Sequence, residues 1–139
     1  SGFDHDFKGY GWEDLELGYR FSKQSIPLYY LKMAKNYHYH VVTKEEEISR
    51  NIAKGESARI FFNKHPELQW FLGLNPVSKY LFPKICYQGS FYNFVKKRCF
   101  DSKIRMLHQF GFWFLKEFHY MQGILNTENL KKMKSIGNI

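Results

Sequence analysis

The sequence predicts a mainly α-helical chain with one small two-stranded β element. Three observations carry that expectation. Thr43 and Glu46 form a capping box in front of a long helical stretch, Pro66, Pro76 and Pro83 cut the middle into short units, and two β-prone runs, 26–31 and 37–42, stand side by side. The opening residues 3–9 read as a loop or short turn. A first helix starts near Trp12, because Trp12, Leu15 and Tyr19 fall at i, i+3 and i+7 and make an apolar stripe. Glu16 and Arg20 follow at i, i+4 with the acid first, the favourable order. Gly18 weakens the last turn and suggests a close neighbour. The two β-prone runs are then joined by Lys32-Met33-Ala34-Lys35-Asn36, with Pro27 keeping the first of them at an edge.

The second helix spans Lys44 to about Lys64, with Glu45, Glu46 and Glu47 in the first turn, where the helix dipole favours acids. Ile48, Ile52, Arg59 and Phe62 mark its rows imperfectly, and Gly55 interrupts it, so either one helix or two pieces fits. His65-Pro66 ends it, since a residue before proline avoids the helical region. Short helical units are expected over 67–74 and 77–82, a helix of about a dozen residues over 88–99, and a long one capped by Asp101 or Ser102 and running to about Leu125. From about Glu128 the chain is polar and basic and reads as frayed.

The 139 residues suffice for one domain or the tail of a larger one, and 44% hydrophobic content argues for a packed core rather than disorder. No run approaches the roughly 18 consecutive apolar residues of a spanning helix, and no signal-peptide pattern opens the chain. Cys86 and Cys99 have neither a disulfide framework nor a zinc spacing, which points to a reducing compartment. Residues 1–78 balance ten basic with ten acidic side chains, whereas 79–139 carry eleven basic ones against Asp101, Glu117 and Glu128, so the whole +8 excess lies in the second half.

The chemistry-bearing segment is Gly9-Tyr10-Gly11-Trp12-Glu13-Asp14-Leu15-Glu16-Leu17-Gly18-Tyr19-Arg20. It places two adjacent acids on the first turn of a helix behind a glycine-rich aromatic turn. A hydroxyl is a poor nucleophile until a carboxylate takes its proton, and a glycine-flanked tryptophan offers a flat face to a sugar ring. Acids at a helix start are common for dipole reasons alone; the composite around Glu13 and Asp14 is what sets this pair apart. His38 and His40 form a His-x-His that a strand would turn to one face, roughly 6 to 7 Å apart, as a metal site or as a surface pair.

The segment closely resembles the acceptor-side motif of family 2 glycosyltransferases of the GT-A type, including the galactosyltransferase-like and chondroitin-polymerising branches, in which Gly-Trp-Glu-Asp-x-Glu/Asp-Leu opens a helix under the active site. The resemblance implies that Asp14 is the base that deprotonates the acceptor hydroxyl, that Glu13 hydrogen-bonds the acceptor sugar, and that Trp12 stacks on it or shapes its pocket. Glu16 is expected to support the helix through Arg20. In such enzymes a histidine after an aromatic residue completes the site of a divalent metal, Mn or Mg. Both His38 and His40 match, with His38 preferred. Asp4-His5-Asp6 is not the family's metal-binding Asp-x-Asp, since no apolar strand precedes it. Phe3-Asp4-His5-Asp6-Phe7 matches instead a Phe-Asp-Glu-x-Phe segment, in which Asp4 shapes the acceptor site and His5 departs from the pattern. A second match, residues 55–66, ends in Lys64-His65-Pro66 as in bacterial members.

The resemblance covers residues 3–66 and implies the C-terminal helical part of a GT-A glycosyltransferase, lacking the nucleotide-binding sheet and inactive alone. Residues 1–66 would form its acceptor side and 67–139 a basic aromatic extension. Its partners would be a nucleotide-sugar donor and a glycan or lipid-linked acceptor, in cell-surface polysaccharide or glycan synthesis. Location would be cytoplasmic or peripheral on the inner membrane surface. Thirteen aromatics between Tyr80 and Tyr120, interleaved with lysines and arginines, read as an aromatic core seam or as a surface lying on an anionic bilayer. The alternative function is thus a basic helical module for membranes or partners, without catalysis. Nucleic acid is disfavoured because arginine is scarce there and no recognition module is present. A homodimer is expected if the front third lacks its sheet.

Overall fold

The computed structural model describes residues 2–86 and 89–136, with side chains placed through Phe82 and between Ser90 and Asn126. Within them run α1 (Glu13–Lys23), α2 (Lys44–Lys64), a 3₁₀ turn (Pro66–Leu68), α3 (Pro76–Cys86), α4 (Gly89–Val95), a π-helical turn (Lys96–Phe100) and α5 (Arg105–Ile136). The chain is mainly helical, as its sequence predicts.

Local chemistry explains α2. Thr43 Oγ1 accepts from the Glu46 backbone N–H at 3.2 Å while the Glu46 carboxylate accepts from the Thr43 N–H at 3.0 Å, closing the capping box. The helix ends at Lys64, with His65 as its cap before Pro66. Gly55 does not interrupt it. That glycine sits where α2 crosses α5: a Cβ there would lie 2.0 Å from the Tyr120 carbonyl oxygen, and one on Gly123 would lie 2.0 Å from that of Ile52. The pairings Lys44 with His108, Glu47 with Lys116 and Ile52 with Gly123 advance together along both helices, so α2 and α5 run in the same direction.

Two apolar clusters flank this crossing. One gathers Ile48, Val95, Cys99, Phe100, Phe114 and Leu115; the other joins Ala58 and Phe61 of α2 with Leu72, Leu74, Tyr120, Met121 and Ile124. The π-helical turn belongs to the first. Its extra residue per turn lets the consecutive Cys99 and Phe100 both reach the core, and the Asp101 N–H closes it on the Lys96 carbonyl at 3.2 Å. Cys99 is a buried free thiol, while the Cys86 side chain lies outside the described residues, as do the side chains of the basic stretch from Glu128 onward.

The two-stranded β element is absent, and this corrects the sequence reading. Among the described residues no strand forms, and 26–42 runs as an irregular segment with a turn closed by Ala34 N–H on the Leu31 carbonyl at 3.0 Å. Tyr30, Tyr37 and Tyr39 are 91%, 93% and 93% exposed. A lone hairpin is marginal in water without a third strand or a covering layer, and residues 26–41 are exposed throughout. Other boundaries also shift. α3 continues through Pro83, held by Phe82, which packs against both clusters. α5 starts at Arg105, three residues after Ser102, whose hydroxyl accepts from the Ile104 N–H at 3.1 Å, and continues to Ile136 rather than stopping near Leu125. No helix among the described residues is long and apolar enough to cross a membrane.

Glu67 ties the 3₁₀ turn to α1. It accepts from Lys23 Nζ at 2.9 Å and Tyr19 OH at 2.8 Å, and the lysine above all, then a backbone N–H and the tyrosine, hold its carboxyl down at about 2. On α5 the half-buried His119 has its Nδ1 buried without a partner and Nε2 3.3 Å from the Tyr92 hydroxyl. Burial first, and the charge of Lys96 second, hold its imidazole below the ordinary value of 6.5. The unfolded chain therefore takes up this proton at a higher pH than the folded one. The contribution to stability is complete above the unfolded value and is lost as pH falls through the folded one. The melting temperature is expected to drop as pH goes from about 7 to about 5, and His119→Gln to flatten part of that slope in a calorimetric pH series.

Candidate functional site

The glycine-rich turn leads into α1 with two consecutive left-handed residues, Gly11 at φ 91° and Trp12 at φ 76°. Glycine adopts this conformation freely, but a bulky aromatic does so only when its surroundings hold it. Trp12 is held on three sides, its ring centroid 6.2 Å from Phe61, 5.8 Å from Phe71 and 6.3 Å from Tyr120. Lys54 Nζ lies 5.9 Å from the same ring, and a Cβ on Gly11 would meet Lys54 Cγ at 2.9 Å. Trp12 is thus a wedge between the turn and the core.

The first turn of α1 carries Glu13, Asp14 and Glu16, and no side chain caps it. Asp14 is exposed and accepts from the Leu15 N–H at 2.8 Å; one Glu13 oxygen is buried without a hydrogen-bond partner. Both acids line a cleft of about 240 Å³ with Tyr10, Gly11, Trp12 and Lys54. The structure therefore brings Trp12, Glu13 and Asp14 together. Glu16 points the other way. It is 1% exposed, with Arg20 Nε 2.8 and 3.0 Å from its two oxygens and His65 Nε2 at 3.3 Å, which gives it the supporting role expected of it.

Asp4 is not among the residues that line this cleft. Lys64 Nζ lies 2.6 Å from both Asp4 and Asp6, pinning the opening loop to the end of α2. The bond to Lys64, then the Asp6 backbone N–H, hold the Asp4 carboxyl below its usual range. His38 and His40 have ring centroids 5.7 Å apart, but in an irregular segment instead of a strand. His40 Nε2 is 3.1 Å from an Arg50 nitrogen, so that ring nitrogen already faces a cationic group. No group of three or more His, Cys, Asp or Glu suited to a metal occurs among the described residues. These two histidines do not by themselves fit a divalent ion.

Residues that sequence reasoning missed complete the surroundings. A second cleft of about 340 Å³ shares Trp12 and Lys54 with the first and adds Asn51, Trp70, Phe71, Glu117 and Tyr120. Trp70 and Phe71 are 66% and 64% exposed, so two aromatic surfaces and a carboxylate face one concave region. The Tyr120 hydroxyl donates to the Leu72 carbonyl at 2.8 Å. Burial pushes this phenol up, Glu117 adds to the shift, and the Trp12 indole opposes it. The available signal for Glu117 was its isolation, one of three acids in a strongly basic half. Lys54 and Trp70 gave none, since only the packing of α2 and the 66–74 turn against residues 10–15 brings them here.

No protein-family model matches this chain, and neither a curated protein nor a solved structure matches it.

Proposed function

We propose that the paired clefts around Trp12 bind a sugar, and that Asp14 is the base in transfer of an activated sugar to one of its hydroxyls. The supporting observation is the juxtaposition of Glu13 and Asp14 at the rim of a cleft walled by Trp12, with Trp70, Phe71 and Glu117 in the adjoining one. Aromatic faces suit the apolar side of a sugar ring, and carboxylates suit its hydroxyls. In this reading the chain is the acceptor side of a GT-A glycosyltransferase. Glu13 accepts a hydrogen bond from the acceptor and holds it. Asp14 takes the proton as the acceptor oxygen attacks the anomeric carbon of a nucleotide sugar, the configuration inverts, and the nucleoside diphosphate leaves. The Mn or Mg ion of such enzymes would need ligands beyond His38 and His40, and no step here is routed through it.

The test is Asp14→Asn in a form of the protein that carries transfer activity. The substitution keeps size and hydrogen bonding but removes the base, so kcat is expected to fall by about 10² to 10⁴ with acceptor KM changed little. An unchanged transfer rate would overturn the reading.

A second reading has its own observation. Met106, Phe110 and Trp113, at i, i+4 and i+7 on α5, are 74%, 47% and 58% exposed, beside the exposed Lys103 and Arg105. Such a stripe suits an anionic bilayer surface, which would make this a peripheral module. Co-sedimentation with anionic vesicles that weakens with salt supports it; no binding to them removes it.

A further inference from the structure

A third cleft, of about 210 Å³, lies where the first half of α2 meets α5, lined by Arg50, Lys54 and Lys116 with Tyr10, His40 and Glu47 among its other residues. Arg50 and Lys54 are spaced i, i+4 and share a face of α2, whereas Lys116 arrives from α5, so the gathering of charge is a product of the tertiary fold. Among the described residues Lys116 has an ion pair, with Glu47 at 2.5 Å. The Arg50 guanidinium lies 5.5 Å from the Tyr10 ring centroid and beside the His40 ring nitrogen, and Lys54 Nζ rests near Trp12. Neither cation has an ion pair among the described residues. Two unneutralised positive charges converging in a concavity repel each other, and an anion between them relieves the repulsion. The space falls below the roughly 300 Å³ of pockets that take whole small-molecule ligands, which suits a charged group and not a complete cofactor.

We propose that this cleft binds a phosphate or diphosphate group, with Arg50 and Lys54 as its donors. Arginine supplies a planar fork for two oxygens and lysine a point charge on a mobile stem. The cleft shares Tyr10 and Lys54 with the Asp14 cleft, so the bound group would lie next to the carboxylates. The proposal concerns binding alone and stands or falls separately from sugar transfer.

Titration of the chain with sodium pyrophosphate, followed by calorimetry or amide NMR, tests it. Arg50→Gln and Lys54→Gln are each expected to weaken binding about tenfold, the loss of one charge-assisted hydrogen bond, while Lys97→Gln, an exposed position of the π-helical turn, changes nothing. Glu47→Gln frees Lys116 and is expected to tighten binding, a gain that no misfolded variant would produce. Phosphatidylcholine vesicles with and without phosphatidic acid separate the sources. Retention on phosphatidic acid that pyrophosphate displaces and Arg50→Gln abolishes assigns a lipid headgroup; pyrophosphate binding without such retention assigns a soluble phosphate. Absence of binding in both arms, or binding that Arg50→Gln and Lys54→Gln leave intact, overturns the proposal.

Discussion

Gly55→Ala is expected to destabilise the chain by about 3 kcal/mol or more, although alanine is the better helix former by about 1 kcal/mol. The added methyl carbon would sit 2.0 Å from the Tyr120 carbonyl oxygen and 3.0 Å from the Ile124 nitrogen, both backbone atoms of α5 that no rotamer change can move. The two helices must separate, and separation opens both apolar clusters at once. Gly123→Ala should act alike, since its methyl would fall 2.0 Å from the Ile52 carbonyl oxygen. Gly18→Ala is the matching control. It lies in α1 with nothing within 4 Å of the added carbon, so the same substitution should there stabilise by about 0.5 to 1 kcal/mol. Urea denaturation followed by circular dichroism reads all three. A Gly55→Ala protein as stable as the parent would mean that α2 and α5 do not meet as described.

Phe61→Ala should cost about 3 to 5 kcal/mol, the range for removing a buried phenylalanine. The ring is 1% exposed and stands 6.4 Å from Phe7, 6.1 Å from Tyr19 and 5.5 Å from His65, besides its contact with Trp12. It therefore joins the opening loop, α1 and the end of α2 in one packing unit. Its loss also frees Trp12, whose left-handed backbone depends on that packing, so the wall shared by two clefts should move. Phe61→Leu retains most of the volume and should cost less than half as much. Denaturation midpoints give the stability change, and Trp12 emission, isolated in a protein with Trp70 and Trp113 replaced by phenylalanine, reports the loosened wall. Unchanged emission in Phe61→Ala would show that Trp12 is held by Phe71 and Tyr120 alone.

The sharpest contrast between what the residues announced and what the fold added is between α2 and the segment after α1. Every signal for α2 is local: a threonine oxygen three residues from a glutamate, acids in the first turn, a proline just past the end. Each acts within a few residues whatever the rest of the chain does. A strand carries no such internal satisfaction. The runs at 26–31 and 37–42 have β-favouring side chains, but their backbone groups pair only with a neighbour, and the fold supplies none. Gly55 shows the same divide. In sequence it reads as a weak point, and in the structure it is a point where two helices meet backbone to backbone, because only the partner helix reveals that the missing side chain is what lets them approach.

The candidate site divides along that line as well. Trp12, Glu13 and Asp14 are neighbours in the chain, so the linear order alone placed an aromatic face and two carboxylates at one helix start. Lys54, Asn51, Trp70 and Glu117 come from α2, from the turn after it and from α5, and no spacing rule relates them to residue 12. Their convergence follows from the close crossing of α2 and α5 and from the burial of Phe61 and Tyr120 beneath Trp12. Composition and short-range chemistry thus settled that this chain is helical and where its acids lie. Which side chains share a cavity was left to packing, because distance through space depends on which apolar surfaces exclude water together.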